Sequence, residues 1–166
     1  MQEFDVVVIG AGPGGYVCAI KLAQLGFNTA LVEKYSTLGG TCLNVGCIPS
    51  KAYLDSSERY FNAKHGIQHG IEVSDIKLNW PKMQERVQKV VKQTCDGISF
   101  LMNKNKISVI HGTASFIDPF TITLLNDQDK KIGAKYFVIA TGSKPANLPK
   151  IAIDKKRILS STEVLK

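Results

Sequence analysis

No apolar run in this sequence reaches the roughly 18 residues that a helical membrane span requires. Acidic residues are few: 14 Asp and Glu against 21 Lys and Arg leave a formal net charge of +7. The basic residues are scattered, apart from the short run Lys155-Lys156-Arg157, so the stripe of positive charge that nucleic acid needs is missing. Four unevenly spaced cysteines, with no secretory signal before them, do not make the disulfide framework of a small secreted domain. The first apolar run, Val6 to Ile9, follows acidic Glu3 and Asp5 and leads straight into glycines. Neither a signal peptide nor an Arg- and Ser-rich presequence stands before it, and a cytoplasmic location is the resulting expectation. Internal repeats and low-complexity segments are also lacking. Ligands for a metal are thin. His65 and His69 are four apart, but Gly66 and Gly70 spoil a helical ligand face, and His111 stands alone at a strand end. No metal is expected.

What is present is an alternation of strand and helix patterns. Phe4 to Ile9 is a continuous β-branched apolar run, the pattern of a strand buried on both faces of a parallel sheet. Glycines follow at once, then a helical pattern from Pro13 to Leu25 stopped by Gly26, then a second strand, Thr29 to Val32, closed by Glu33. This is a complete βαβ unit. Tyr35 to Gly40 reads as a loop, and a helix is expected from Thr41 through the fifties. After Asn79-Trp80-Pro81, a helix start, Met83, Val87, Val90, Val91, Thr94, Ile98 and Leu101 form one amphipathic face ending near Met102. Packing is what that spacing argues, within the chain or against a partner. Lys106 to Ile110 is a third parallel-type strand. Ala114–Ile117, Thr121–Leu125 and Ile132–Lys135 alternate as a small antiparallel meander, and Tyr136–Ile139 reads as a fourth buried strand. The expected class is α/β, a doubly wound parallel sheet with an antiparallel meander and a long helical excursion. Past Pro149 the composition turns to connector.

Gly10, Gly12 and Gly15 satisfy G-x-G-x-x-G between a strand and a helix. The first glycine permits the tight turn, the second admits a pyrophosphate to the backbone, and the third lets helix and strand pack closely. Pro13 and Gly14 complete the turn, and the helix start behind them offers free amides and a positive dipole end. Glu33 lies 18 residues beyond Gly15, where a carboxylate accepts hydrogen bonds from ribose hydroxyls and repels a 2′-phosphate. Gly10–Gly15, Glu33, Gly112–Ala114 and Thr141–Ser143 all fall at strand C-terminal ends, the rim on which such sheets bind ligands. Four clusters on one rim suit an extended dinucleotide better than a single phosphate.

Cys42 and Cys47 are five apart, with Cys18 and Cys95 distant. Across an unbroken helix that separation is about 8–9 Å between Cα atoms, beyond the roughly 6.8 Å a disulfide spans. A bond between them therefore requires a break, which Gly46 would permit. Redox chemistry is the better reading of this pair, ahead of ordinary unpaired thiols and of a metal site. Cys18 and Cys95 sit in helical apolar patterns and read as small buried hydrophobes.

The stretch Gly39-Gly40-Thr41-Cys42-Leu43-Asn44-Val45-Gly46-Cys47-Ile48-Pro49-Ser50-Lys51 resembles the active-disulfide segment of the pyridine nucleotide–disulfide oxidoreductases. Leu43, Ile48 and Ser50-Lys51 look most like the dihydrolipoamide dehydrogenases among them; glutathione- and mercuric-reductase-like flavoenzymes are the alternatives, as is a nucleotide-binding module without redox chemistry. The resemblance implies a Rossmann-like FAD-binding domain over residues 1–149, and a connector at 150–166 leading to an NAD-binding domain. The chain would thus be a fragment, lacking that domain, the interface domain and the general base. Cys42 would be the interchange thiol. Cys47 would lie against the flavin as a charge-transfer thiolate, with Lys51 near the reactive flavin edge. Glu33 would hold the adenosine ribose, and backbone near Gly112 and Ala114 would meet the adenine. Lys34, Gly40, Thr41, Ala140, Thr141, Gly142 and Ser143 would complete the cofactor site. The reaction implied is oxidation of dihydrolipoamide, carried on a lipoyl protein, through the disulfide and FAD to NAD+. The parent would be a homodimer in a 2-oxo acid dehydrogenase complex, with no nucleic acid or membrane partner.

Overall fold

In the computed structural model, residues 1–146 and 148–165 are described. Asn147 and Lys166, included in the expected domain and connector, lie outside the described residues. Six strands form one sheet in the order β3-β2-β1-β6-β5-β4. They are β1 (Gln2–Ile9), β2 (Thr29–Glu33), β3 (Ser108–His111), β4 (Ala114–Asp118), β5 (Thr121–Leu124) and β6 (Asp127–Ile139). Pairing is parallel for β1 with β2, β1 with β6 and β2 with β3, and antiparallel for β4 with β5 and β5 with β6. The helices are α1 (Pro13–Gln24), α2 (Gly40–Val45), α3 (Cys47–Lys64), α4 (Trp80–Lys104) and α5 (Ser161–Val164), with a 3-10 turn at Gly66–His69. No described helix is long and apolar enough to cross a membrane.

Strand residues alternate between two cores, because successive side chains point to opposite faces. Val8 and Leu31 face the helices and pack with Ala19, Val91, Cys95, Ile98 and Met102. Val7, Ile9, Ala30, Val32 and Ile110 face the other way and meet Ile122, Leu124, Ile132 and Ala134. The meander therefore lies over the sheet face opposite the helices, which explains why every residue of β2 is buried. Leu31 is fully buried in the helix-side core. Leu31→Ala is expected to cost about 2–5 kcal/mol of unfolding free energy, read from the midpoint of urea denaturation.

Three expectations change. The segments Ile132–Lys135 and Tyr136–Ile139 are one strand, β6, whose first part pairs with β5 and whose second part pairs with β1. The strand serves both ladders, so no turn separates them. Its end is only partly covered: Phe137 and Val138 are half-buried, one against each core, while Tyr136 and Ile139, on opposite faces, are 66% and 68% exposed. The helix expected from Thr41 is two helices, broken at Gly46.

The long helix packs within the chain. Val87, Val91, Cys95, Ile98 and Met102 are its buried face, at the three- and four-residue intervals of an amphipathic helix. Asn79 caps it by accepting from the Lys82 amide at 3.1 Å. Arg86 ties it to α3, donating to the Ala52 carbonyl at 2.9 Å and the Ser56 hydroxyl at 3.0 Å, and pairing with Asp55. Hydrogen bonding from Arg59, with the charge of Arg86 adding to it, holds the Asp55 carboxyl below its ordinary value.

Candidate functional site

Register brings the four expected clusters together. Ile9 pairs with Val32 and with Ile139, Val32 with Ile110, and Glu33 with His111. The chain therefore leaves all four parallel strands on the same rim. Gly10 turns there with φ +105°, and a side chain on it would collide with the Ala140 carbonyl. A side chain on Gly15 would strike the Gly10 carbonyl, which is the close helix–strand approach expected of that glycine. Ala140 itself is half-buried and donates to the Ile9 carbonyl at 2.8 Å. Pro13 and Gly14 are exposed, and space around Gly14 is open.

Glu33 is buried, and its carboxylate ties the rim together. One oxygen accepts from the Ala11 amide at 2.8 Å and the other from the Tyr35 amide at 3.0 Å. Each oxygen keeps a second lone pair. Gly112 donates to the Glu33 carbonyl at 2.8 Å, and Ala114, half-buried, opens β4 beside it. His111 bonds through Nδ1 to the Tyr35 carbonyl at 2.9 Å, closing the β2–β3 corner. Lys34 is exposed with its ammonium 4.8 Å over the Tyr35 ring. Thr141, Gly142 and Ser143 are exposed and lie beyond the end of β6.

Gly40 lies directly against the glycine turn: a Cβ there would stand 2.6 Å from the Gly12 Cα. The Gly39 amide donates to the Ala11 carbonyl at 2.8 Å and fixes this contact. The starts of α1 and α2 therefore converge. Neither has a capping side chain or an acidic residue in its first turn, and α3 lacks both as well. By contrast, Asn79 and Ser160 cap α4 and α5. First-turn amides have no partner inside their own helix, and a bound anion satisfies them. A dinucleotide pyrophosphate fits this pair of bare helix ends.

At the far end of α2 the chain breaks and turns into α3. Gly46, at φ −146° and ψ −113°, is outside the helical region. It brings the Cα atoms of Cys42 and Cys47 to 4.6 Å, and the two are disulfide-bonded. A Cβ on Gly46 would stand 2.9 Å from the Thr41 carbonyl oxygen, so packing as well as backbone freedom calls for glycine. Cys47 is exposed at the start of α3, while Cys42 is half-buried against the helix-side core. Thr41 and Lys51 are exposed on α2 and α3. Burial, with Asp96 adding to it, pushes the Cys95 thiol above its ordinary value. Cys18 is half-buried. Among the described residues no three His, Cys, Asp or Glu side chains converge as metal ligands would.

Two participants escape sequence reasoning. Asn44 lies between the two cysteines, and its side chain is fully bonded to the Thr37–Leu38 loop, to the start of α2 and to α4. Its only signal is a polar residue held among apolar ones within the cysteine segment. The His111–Tyr35 bond joins residues 76 apart, and no local pattern announces it.

A Rossmann-like sheet with a glycine turn, a carboxylate at the end of its second strand and a disulfide reached through the next short helix defines the class: a dinucleotide-binding domain carrying a dithiol pair. The chain belongs to the pyridine nucleotide-disulphide oxidoreductase family, whose model matches residues 4–166. It is 50% identical to the mitochondrial dihydrolipoyl dehydrogenase of Schizosaccharomyces pombe, over 98% of this chain and 33% of that protein. It is 47% identical to the mitochondrial dihydrolipoyl dehydrogenase of Pisum sativum, over 99% of this chain and 33% of that protein. Among solved structures it is similar to the HOCl-induced flavoprotein disulfide reductase RclA from Escherichia coli, with TM-score 0.78 and 25% identity. That match covers 97% of this chain and 33% of the other. The chain spans about a third of the length of the curated relatives it matches. The cytoplasmic expectation is corrected by these relatives, which are mitochondrial proteins. A cellular address is written in a leader outside the folded domain, so the residues of the domain do not carry it.

Proposed function

We propose that residues 1–149 are the FAD-binding domain of a disulfide oxidoreductase that oxidises dihydrolipoamide on a lipoyl-carrying protein, with NAD+ as final acceptor. Residues 150–166 are then the connector to an NAD-binding domain, and the parent is a homodimer serving a 2-oxo acid dehydrogenase complex. The observation that carries the reading is the path of α2. It begins at Gly40 against the pyrophosphate turn, carries Cys42 in its first turn, and breaks at Gly46 so that Cys47 returns to bond Cys42. Cys42 stands two residues beyond Gly40, about 3 Å of helical rise, and Cys47 lies just past the end of α2, so a redox ring joined to the pyrophosphate by a five-carbon polyol chain reaches the sulfur atoms. The names of the relatives support the dithiol substrate, and the name of the structural neighbour supports the flavin.

In this reading the bare starts of α1 and α2 hold the pyrophosphate, Glu33 the adenosine ribose, and Gly112 and Ala114 the adenine side. Thr141–Ser143 border the flavin half, with Lys51 near its reactive edge and Lys34 at the adenosine end. FAD, when bound, supplies a two-electron acceptor. The residues of the chain handle the sulfur chemistry. A substrate thiolate attacks Cys42 Sγ, forming a mixed disulfide and expelling Cys47 as thiolate. The second substrate thiol then attacks its own sulfur in the mixed disulfide, closing the oxidised dithiolane and leaving Cys42 reduced. The substrate loses two electrons and the cysteine pair gains them; one proton ends on Cys42 and the other is released. Cys47 opens an uncapped helix of 18 residues. The unpaired amides of that first turn face the negative charge Cys47 carries as it leaves.

The test is a visible spectrum of the FAD-loaded protein before and after one equivalent of dithiothreitol. The expected result is a flavin band that gains a long-wavelength shoulder on reduction. A flavin band without the shoulder would remove Cys47 from the flavin. Failure to take up FAD would remove the cofactor reading.

A further inference from the structure

Asn44 uses its whole hydrogen-bonding capacity between the two cysteines. Its amide nitrogen donates to the Leu38 carbonyl at 3.1 Å and the Gly40 carbonyl at 2.9 Å. Its oxygen accepts from the Thr37 hydroxyl at 2.9 Å and the Cys95 thiol at 3.5 Å. A carboxamide has two N–H donors and two acceptor lone pairs, and here all four are engaged. The partners belong to three separate pieces of structure: the Thr37–Leu38 loop, the first residue of α2, and the buried face of α4. We propose that Asn44 is a positioning residue for the redox pair, locking α2 so that one rigid unit holds Gly40 on the glycine turn and Cys42 against Cys47. This rests on the redox reading of Cys42 and Cys47 given above.

The physical argument concerns a helix too short to hold itself. Six residues form an unstable helix in isolation, because nucleation is costly and few bonds follow it. No side chain caps its start, and Gly46 interrupts it directly after Val45. Leu43 is the residue of α2 that is buried. Asn44, on the next position, anchors the helix to the Gly39–Gly40 contact with the glycine turn and to α4. Without these bonds, Cys42 would move relative to Cys47 once the disulfide opens, and the effective concentration of one thiol at the other would fall.

The measurement is the thiol–disulfide equilibrium of Cys42 and Cys47 in graded mixtures of reduced and oxidised dithiothreitol, read by alkylation and intact mass. It needs no cofactor and no turnover. Asn44→Ala is expected to lower the equilibrium constant for disulfide formation about tenfold, which is about 30 mV for this two-electron couple. Thr37→Val removes one of the four bonds at an exposed loop and is expected to shift the constant about threefold in the same direction. Ile122→Ala lowers stability in the core on the opposite sheet face and is expected to leave the constant unchanged. An unchanged constant in both Asn44→Ala and Thr37→Val overturns the proposal. So does an Ile122→Ala shift as large as that of Asn44→Ala, since the role would then be general stability. If the unaltered protein shows no reversible couple at all, the redox reading itself fails, a result distinct from either.

Discussion

Replacing Cys42 with serine is expected to slow flavin reduction by dihydrolipoamide at least about a thousandfold, with FAD still bound. A hydroxyl is nearly the size of a thiol, so the half-buried position against the helix-side core is kept. What disappears is the sulfur that forms the mixed disulfide. Stopped-flow absorbance under anaerobic conditions gives the rate, and the flavin band before mixing shows that the cofactor is in place. Cys47→Ser should be equally slow but should differ in colour: with Cys42 alone, no long-wavelength shoulder appears on thiol addition. A Cys42→Ser protein that reduces its flavin at the original rate would mean that dithiol electrons enter by another route.

A nearly as large effect is expected at Gly40. Its φ is +60°, and an added Cβ would stand 2.6 Å from the Gly12 Cα. The obstacle is backbone, so no side chain can rotate away. Gly40→Ala must push α2 off the glycine turn, at a cost of about 2–4 kcal/mol. FAD affinity is expected to fall about a hundredfold, since two helix starts no longer point at one pyrophosphate. Gly14→Ala is the contrast: nothing lies within 4 Å of the added carbon, and alanine is a better helix former than glycine, so thermal stability should hold. Quenching of flavin fluorescence gives the affinities and urea denaturation the stabilities. A Gly40→Ala protein that binds FAD like the original would show that α2 plays no part in the cofactor site.

Much of this was legible in the residues because the signals are local. Gly10-x-Gly12-x-x-Gly15 between a β-branched run and a helical pattern marks its own turn, and Glu33 marks the end of the next strand. The rim follows, because strand ends can be counted along the chain. The Cα separation of an ideal helix, set against the reach of a disulfide, made a break at Gly46 the condition for a Cys42–Cys47 bond, and the structure has both. Where reading fell short, the cause is tertiary. Tyr136 and Ile139 have the pattern of a buried strand, yet burial depends on what covers a face, and that is not written in the strand. The joining of Ile132–Lys135 with Tyr136–Ile139 was hidden because one strand serves two ladders, with a change of apolar pattern midway that imitates a boundary. Asn44 was invisible because a hydrogen-bonding hub has no periodicity.

That shared strand also governs the order in which the domain can be built. Val8 pairs with Val138, 130 positions later, so the central seam of the sheet waits until nearly the whole domain has been synthesised. Until then β1 presents a bare, apolar edge on the side later occupied by β6, the kind of surface that recruits other chains. Contacts this distant in sequence slow folding, and domains in that half-built condition are prone to aggregate. A nascent chain of this protein emerging from the ribosome should therefore lean on chaperones until about residue 139 is free of the exit tunnel, and a chain cut short before β6 should be captured by them rather than fold.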